Sequence, residues 1–173
     1  MSTVTIKASL EMVRDFFLKP DIVLRLNPSW YVREIEAADK EGLYSLTLYD
    51  DKADETRQVN LHVEVRGKAI CYIMNSNMVE FFIDEISPKI IRLSVNGDIF
   101  RKEDLPYWLR GLKNYIRLEA KKSRNIKWLL DRFWLRMTPS QRRITIIIIL
   151  AEGIGLIALI AVVIALKFIK NFD

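Results

Sequence analysis

The chain has 173 residues, half of them hydrophobic, with a formal net charge of +5 and a single cysteine. That length accommodates one domain with a real core, and a lone Cys71 excludes an internal disulfide and fits a reducing compartment. The charge is unevenly placed: residues 1–112 carry 15 Lys/Arg against 18 Asp/Glu, residues 113–143 carry 10 against 2, and residues 144–173 carry two of each. A nucleic-acid-binding domain would hold its basic patch on the folded body, so nucleic acid is not an expected partner.

Val4, Ile6 and Ala8 alternate with Thr3, Thr5 and Lys7, the period of a half-buried strand. Ser9 then caps a helix whose apolar face is Leu10, Val13, Phe16 and Phe17, and Pro20 ends it. A second short helix, Asp21 to Leu26, runs into the turn Asn27-Pro28-Ser29-Trp30. Strands are expected at Tyr31–Ala38, Leu43–Asp50, Thr56–Arg66, Ala69–Met74, Val79–Ile86 and Lys89–Phe100. Short polar, Gly or Pro connections separate them, so neighbours should form antiparallel hairpins. Val59, Leu61, Val63 and Val65, and later Ile91, Leu93 and Val95, mark a dry face; Asn60, His62, Glu64 and Arg66 mark a wet one.

Helix returns at Lys102, with Leu105, Trp108, Leu109, Leu112, Tyr115 and Ile116 on one face. Nothing breaks that pattern before Pro139, so one long helix, bent near Ser123, is expected to run on. Its second half mixes Lys121, Lys122, Arg124, Lys127, Arg132 and Arg136 with Trp128, Leu129, Phe133, Trp134 and Leu135. That mixture suits a membrane surface, with rings at headgroup depth and basic groups in the water layer; an ordinary solvated helix is the alternative.

Ile144 to Leu166 follows, 23 residues of which 15 are Ile, Leu or Val and one, Glu152, is ionisable. About 20 apolar residues cross a bilayer as a helix, and the apolar total outweighs one central charge. The stretch reads as a single-pass C-terminal anchor, since the N-terminus has no apolar signal-peptide core. Arg136, Arg142 and Arg143 precede it and only Lys167 and Lys170 follow, so the N-terminal domain is expected in the cytoplasm. Ala151, Gly155, Ala158, Ala161 and Ala165 form a small-residue seam bordered by Glu152, where a homodimer mate or another transmembrane helix could approach. The expected organisation is a domain at 1–120, a basic aromatic juxtamembrane helix at 121–143, the span at 144–166 and a short tail at 167–173.

The order of elements (strand, two short helices, six antiparallel strands, long helix) resembles the α+β helix-grip fold of the START-like superfamily, also labelled SRPBCC or polyketide cyclase/dehydrase. The residues that carry the resemblance are Val4-Thr5-Ile6-Lys7-Ala8-Ser9-Leu10-Glu11-Met12-Val13, Phe16-Phe17-Leu18 and Leu26-Asn27-Pro28-Ser29-Trp30. The last is similar to a Pro-Trp segment of bacterial members, with Ser29 where many have a second proline. The resemblance covers residues 1 to about 120 and implies a curved seven-stranded sheet wrapped on the C-terminal helix around an apolar cavity. A curved sheet against one straight helix independently suggests such a space. Its candidate liners are Leu46, Leu48, Leu61, Val63, Phe81, Ile83, Leu93 and Val95 from the sheet, with Trp108, Leu112 and Tyr115 from the helix; a filled core is the alternative.

Candidate chemistry is sparse. His62 is the only histidine and falls on a wet strand face, without a nucleophile or an orienting carboxylate to mark it as catalytic. Cys71 has no Cys-x-x-Cys partner and reads as a small buried thiol. No Cys/His cluster has metal spacing and no glycine-rich phosphate loop precedes a helix, so no metal or cofactor is expected. Asp50, Asp51, Asp54 and Glu55 lack the glycine and terminal glutamate of a calcium loop. Tyr44, Tyr49, Tyr72 and Asn27 could supply polar groups to a cyclase or dehydratase site. Three functions follow: a membrane-tethered, non-catalytic module that carries or senses a lipid or other apolar small molecule; a cyclase- or dehydratase-like enzyme on a membrane-soluble substrate; and a ligand-free interaction module at the membrane.

Overall fold

The computed structural model describes residues 2–75, 77–97, 103–121 and 124–170, with the side chains of 124 and 165–170 left aside. Seven strands form one antiparallel sheet: β1 (Ser2–Ile6), β2 (Trp30–Ala37), β3 (Leu43–Asp50), β4 (Glu55–Arg66), β5 (Ala69–Met74), β6 (Asn77–Ser87) and β7 (Ile90–Gly97). Their order across the sheet is β1-β7-β6-β5-β4-β3-β2. Strands β2 to β7 are a meander of hairpins, and the first strand closes the other side by pairing with the last, Ser2 opposite Val95 and Ile6 opposite Ile91. The fold class is α+β, as the sequence indicates.

Turn chemistry fixes the hairpins. Gly42 sits at φ +77°, and a Cβ there would lie 2.5 Å from the Val63 carbonyl oxygen, so only glycine fits the β2–β3 turn. Asp54 and Asn75 take left-handed conformations at φ 54° in their turns. Two irregularities re-aim side chains. A register shift between Val32 and Glu34 turns both Val32 and Ile35, three apart, toward the core. A second, between Glu85 and Ser87, accompanies Ile86 left half-exposed.

Helices α1 (Leu10–Phe17), α2 (Pro20–Arg25) and α3 (Leu105–Ala120) pack on the sheet. The Ser9 side chain caps α1 by accepting from the Met12 backbone N–H at 3.4 Å. The core lies between sheet and helices and is dominated by aromatic contacts: Phe81 meets Phe17, Tyr72 and Trp108 at ring-centroid distances of 4.6, 5.1 and 5.4 Å. The dry face follows the expected alternation except at Val65, which is 58% exposed at the tip of the β4–β5 hairpin.

The long helix expected from Lys102 to Pro139 is not continuous. Its start at Lys102 and its bend at Ser123 lie outside the described residues. Helix α3 ends at Ala120; α4 spans Arg124–Arg132, and a 3-10 turn spans Trp134–Arg136. Met137 is extended, with ψ 145°. The break has a packing cause. Leu135 is buried and Trp134 partly so against the core, positions a straight helix would carry away from the body. Residues 1–139 form one compact unit; residues 140–173 form a second, made of most of α5 (Pro139–Lys170). Within α5, Pro139–Ile164 is the one helix among the described residues long and apolar enough to cross a membrane.

Candidate functional site

All eleven expected cavity liners are buried in one hydrophobic cluster: Leu46, Leu48, Leu61, Val63, Phe81, Ile83, Leu93, Val95, Trp108, Leu112 and Tyr115. Two polar groups, the Trp108 indole among them and the Tyr72 hydroxyl beside them, are turned inward. Trp108 Nε1 donates to the Val23 carbonyl at 2.9 Å, and Tyr72 Oη donates to the Phe17 carbonyl at 2.5 Å. Burial pushes the Tyr72 hydroxyl well above its ordinary range, so it stays neutral and hydrogen-bonded. None of the eleven lines any of the three grooves described below.

The remaining polar candidates are dispersed. Asn27 Oδ1 accepts from the Ser29 backbone N–H at 2.9 Å, and Ser29 Oγ donates to Asp104 at 3.0 Å. Lys52 Nζ reaches the other Asp104 oxygen at 2.6 Å. This network gives Ser29 a role no proline could fill: it ties the turn before β2 to the start of α3. Tyr49 Oη donates to Asp54 at 2.9 Å on the surface, which raises its pKa. Tyr44 is partly buried against the core. His62 is half-buried on β4. Cys71 is buried, and desolvation pushes its thiol up, with Arg66 opposing. Among the described residues no cluster of His, Cys, Asp or Glu could hold a metal.

The residues expected at a membrane surface divide. Trp128 (60% exposed), Arg132, Arg136 and Lys121 point outward; Lys122 and the side chain of Arg124 lie outside the described residues. Lys127 and Trp134 turn back to the body. Lys127 Nζ is 2.8 Å from Glu119 and 5.8 Å from the Tyr115 ring centroid. Tyr115 Oη donates to Asp131 at 2.6 Å, and its pKa is raised first by burial and then by that bond. These contacts clasp α4 onto α3. Ile126, Leu129 and Phe133 remain exposed beside Trp128. On α5, Ala151, Glu152, Gly155 and Ala158 are all exposed.

Sequence reasoning missed the grooves along the body. One, about 1110 Å³, lies where the end of β1, the start of α1, the β6–β7 turn and the second half of α3 meet. Its floor is Ile6, Ala8, Met12, Ile90 and Ala120; its rim is Lys7, Lys89, Lys113, Arg117 and Lys121, with Thr5 and Ser9. A groove of about 600 Å³ continues it along β1 and α3 and shares Lys113 and Arg117. A third, about 480 Å³, is lined by Asp21, Arg25, Tyr31, Arg33, Asp131 and Arg136, among others, and mixes both signs of charge. The sequence does contain one signal for the first groove. Lys113, Arg117 and Lys121 are four apart and share a helix face. Their meeting with Lys7 and Lys89 depends on β1 pairing with β7, which is long-range.

No family model matches the chain, and no curated protein matches it in sequence. Solved structures match in shape. A hypothetical protein from Sulfolobus tokodaii aligns with TM-score 0.51 at 12% identity, over 77% of this chain and 100% of its own. The di-domain ARO/CYC StfQ from the steffimycin biosynthetic pathway aligns with TM-score 0.50 at 10% identity over 69% of this chain, which spans 45% of that protein. A START superfamily protein from Mycobacterium smegmatis gives TM-score 0.47 at 13% identity, over 70% of this chain and 95% of its own. At such identities the likeness is one of fold. The chain has the α+β helix-grip architecture, a seven-stranded antiparallel sheet packed on a long helix, together with one helix apolar enough to span a membrane.

Proposed function

We propose that this protein is a membrane-tethered binding module for a lipid or other apolar small molecule, acting as carrier or sensor without catalysis. The observation that carries this reading is the groove of about 1110 Å³ with an aliphatic floor, large enough for a drug-sized or lipid ligand. Its floor, rather than the interior, is where the ligand lies. The tether gives the groove its supply, because an apolar ligand partitions into the bilayer. Lys121 on the rim and Ile144 at the start of the span are 23 positions apart, so the chain holds them within about 80 Å even fully extended. The exposed Ile126, Trp128, Leu129 and Phe133 support contact of α4 with the membrane surface. In this reading the body lies in the cytoplasm.

The buried hydroxyl of Tyr72 and indole of Trp108 are bonded to backbone carbonyls, which favours binding over a cyclase- or dehydratase-like reaction in the interior. A ligand-free interaction module is the second reading, favoured by the aromatic packing around Phe81. Native mass spectrometry of the full chain released from detergent tests the proposal. A co-purified apolar molecule, lost in Ile90→Trp, is expected; a bare chain, with no uptake of added lipid, would leave the interaction module.

A further inference from the structure

The groove of about 1110 Å³ has a rim charge of a single sign. Five cations, Lys7, Lys89, Lys113, Arg117 and Lys121, line it, and no carboxylate does. Among the described residues none of the five has an ion-pair partner; the nearby Glu119 is held by Lys127 at 2.8 Å. The floor between them is purely aliphatic apart from the Met12 thioether, with no aromatic ring. A nucleotide or single-stranded nucleic acid would need rings for its bases to stack on. An aliphatic floor fits hydrocarbon, and an uncompensated cationic rim fits a negative group at the end of that hydrocarbon.

The geometry also sets the ligand's form. Lys113, Arg117 and Lys121 stand at successive four-residue steps, about 6 Å each along α3, so the positive charge is a row alongside the floor. Lys7 and Lys89 come from β1's end and the β6–β7 turn. One chain lying on the floor can therefore place its terminal anion among cations from separate elements. We propose that the groove takes a single-chain anionic lipid, a hydrocarbon chain ending in a carboxylate or phosphate, over uncharged lipids of the same length. This rests on the lipid-binding reading above and adds the headgroup to it.

The test compares two photoreactive probes, a diazirine-bearing palmitic acid and the corresponding hexadecanol, with the full chain in phosphatidylcholine nanodiscs at pH 7.4. Labelled positions are mapped by mass spectrometry, so groove labelling is separated from labelling of the membrane helix. The acid is expected to label the segments of Met12 and Ile90 about tenfold more than the alcohol, the effect of three modest ion contacts. Combined Lys113→Gln, Arg117→Gln and Lys121→Gln should cut the acid's labelling severalfold, toward the alcohol's level, and leave the alcohol unchanged. A phosphate-ended single-chain lipid should compete with the acid, and a choline-ended one should not. Equal groove labelling by acid and alcohol, or an acid signal untouched by the triple variant, would overturn the headgroup inference while leaving the apolar-ligand reading intact. Labelling confined to α5 for both probes would overturn both.

Discussion

Replacing Leu112 decides whether the interior is a solid core or the wall of a cavity. Leu112 is fully buried on the α3 face that also carries Trp108, Tyr115 and Ile116. Leu112→Ala removes three carbons, about 2.4 kcal/mol of transfer free energy at roughly 0.8 kcal/mol per methylene. Leu112 belongs to a buried cluster whose rings pack at centroid distances near 5 Å, so the site should not collapse freely, and a residual cavity raises the cost toward about 4 kcal/mol. At about 3 °C per kcal/mol for a body of this size, Tm should fall by about 12 °C. Leu112→Trp should also destabilise, by about 1–3 kcal/mol through overpacking. The assay is thermal melting of the full chain in detergent, followed by near-ultraviolet circular dichroism, which reads the packed aromatic rings and not α5. Groove labelling by the palmitate probe should persist in both variants below their melting points. A Leu112→Ala cost under about 1 kcal/mol with Leu112→Trp tolerated would show that Leu112 borders an empty space and would refute the packed-core reasoning.

Alkaline pH should destabilise the body. Tyr72 and Tyr115 have raised pKa values, chiefly through burial, so above about pH 10 the unfolded chain binds fewer protons than the folded one and stability falls as pH rises. Tyr72→Phe should roughly halve that slope in denaturant titrations between pH 10 and 11; an unchanged slope would show that Tyr72 is not held neutral. Tyr115→Phe breaks the bond to Asp131 that clasps α4 to α3, so hydrogen exchange should rise about tenfold in 124–136 and stay constant in 105–116, equivalent to about 1.4 kcal/mol of local stability. Equal exchange in the two segments would mean the clasp is not needed. Protease added to sealed right-side-out vesicles should spare residues 1–143; digestion without detergent would place the body on the other side.

Much of the fold is legible because its signals are local. Each hairpin has its own turn residues, and Ser9 announces α1 within four positions of the bond it makes. Burial of Leu61, Leu93 and Val95 follows from strict alternation. The errors come where a distant contact overrides a local pattern. Helix propensity continues past Ala120, yet Leu135 gains more by burying against the body than by extending a straight helix. Val65 satisfies the alternation but sits at a hairpin tip that no helix covers. The residues expected to line an interior cavity are buried in the core, and they do not form the walls of the three grooves described. Packing density is a property of three-dimensional fit, and Phe81 cannot be known from sequence to fill the space between Phe17 and Trp108.

The pairing of the first strand with the last has a consequence for the order of assembly. Strands β2 to β7 join neighbours through short turns, whereas β1 must find β7 across some ninety residues, Ser2 against Val95. Closing such a loop costs on the order of 4 kcal/mol of chain entropy, and long-range pairing is slow. The six-strand meander can therefore form first, with the free edge of β7 open to mispairing until β1 arrives. Ile6, Lys7 and Ala8 arrive with it. The groove is thus a late product of folding, and a molecule that had lost β1 would keep most of its sheet but lose the wall that closes the groove on that side.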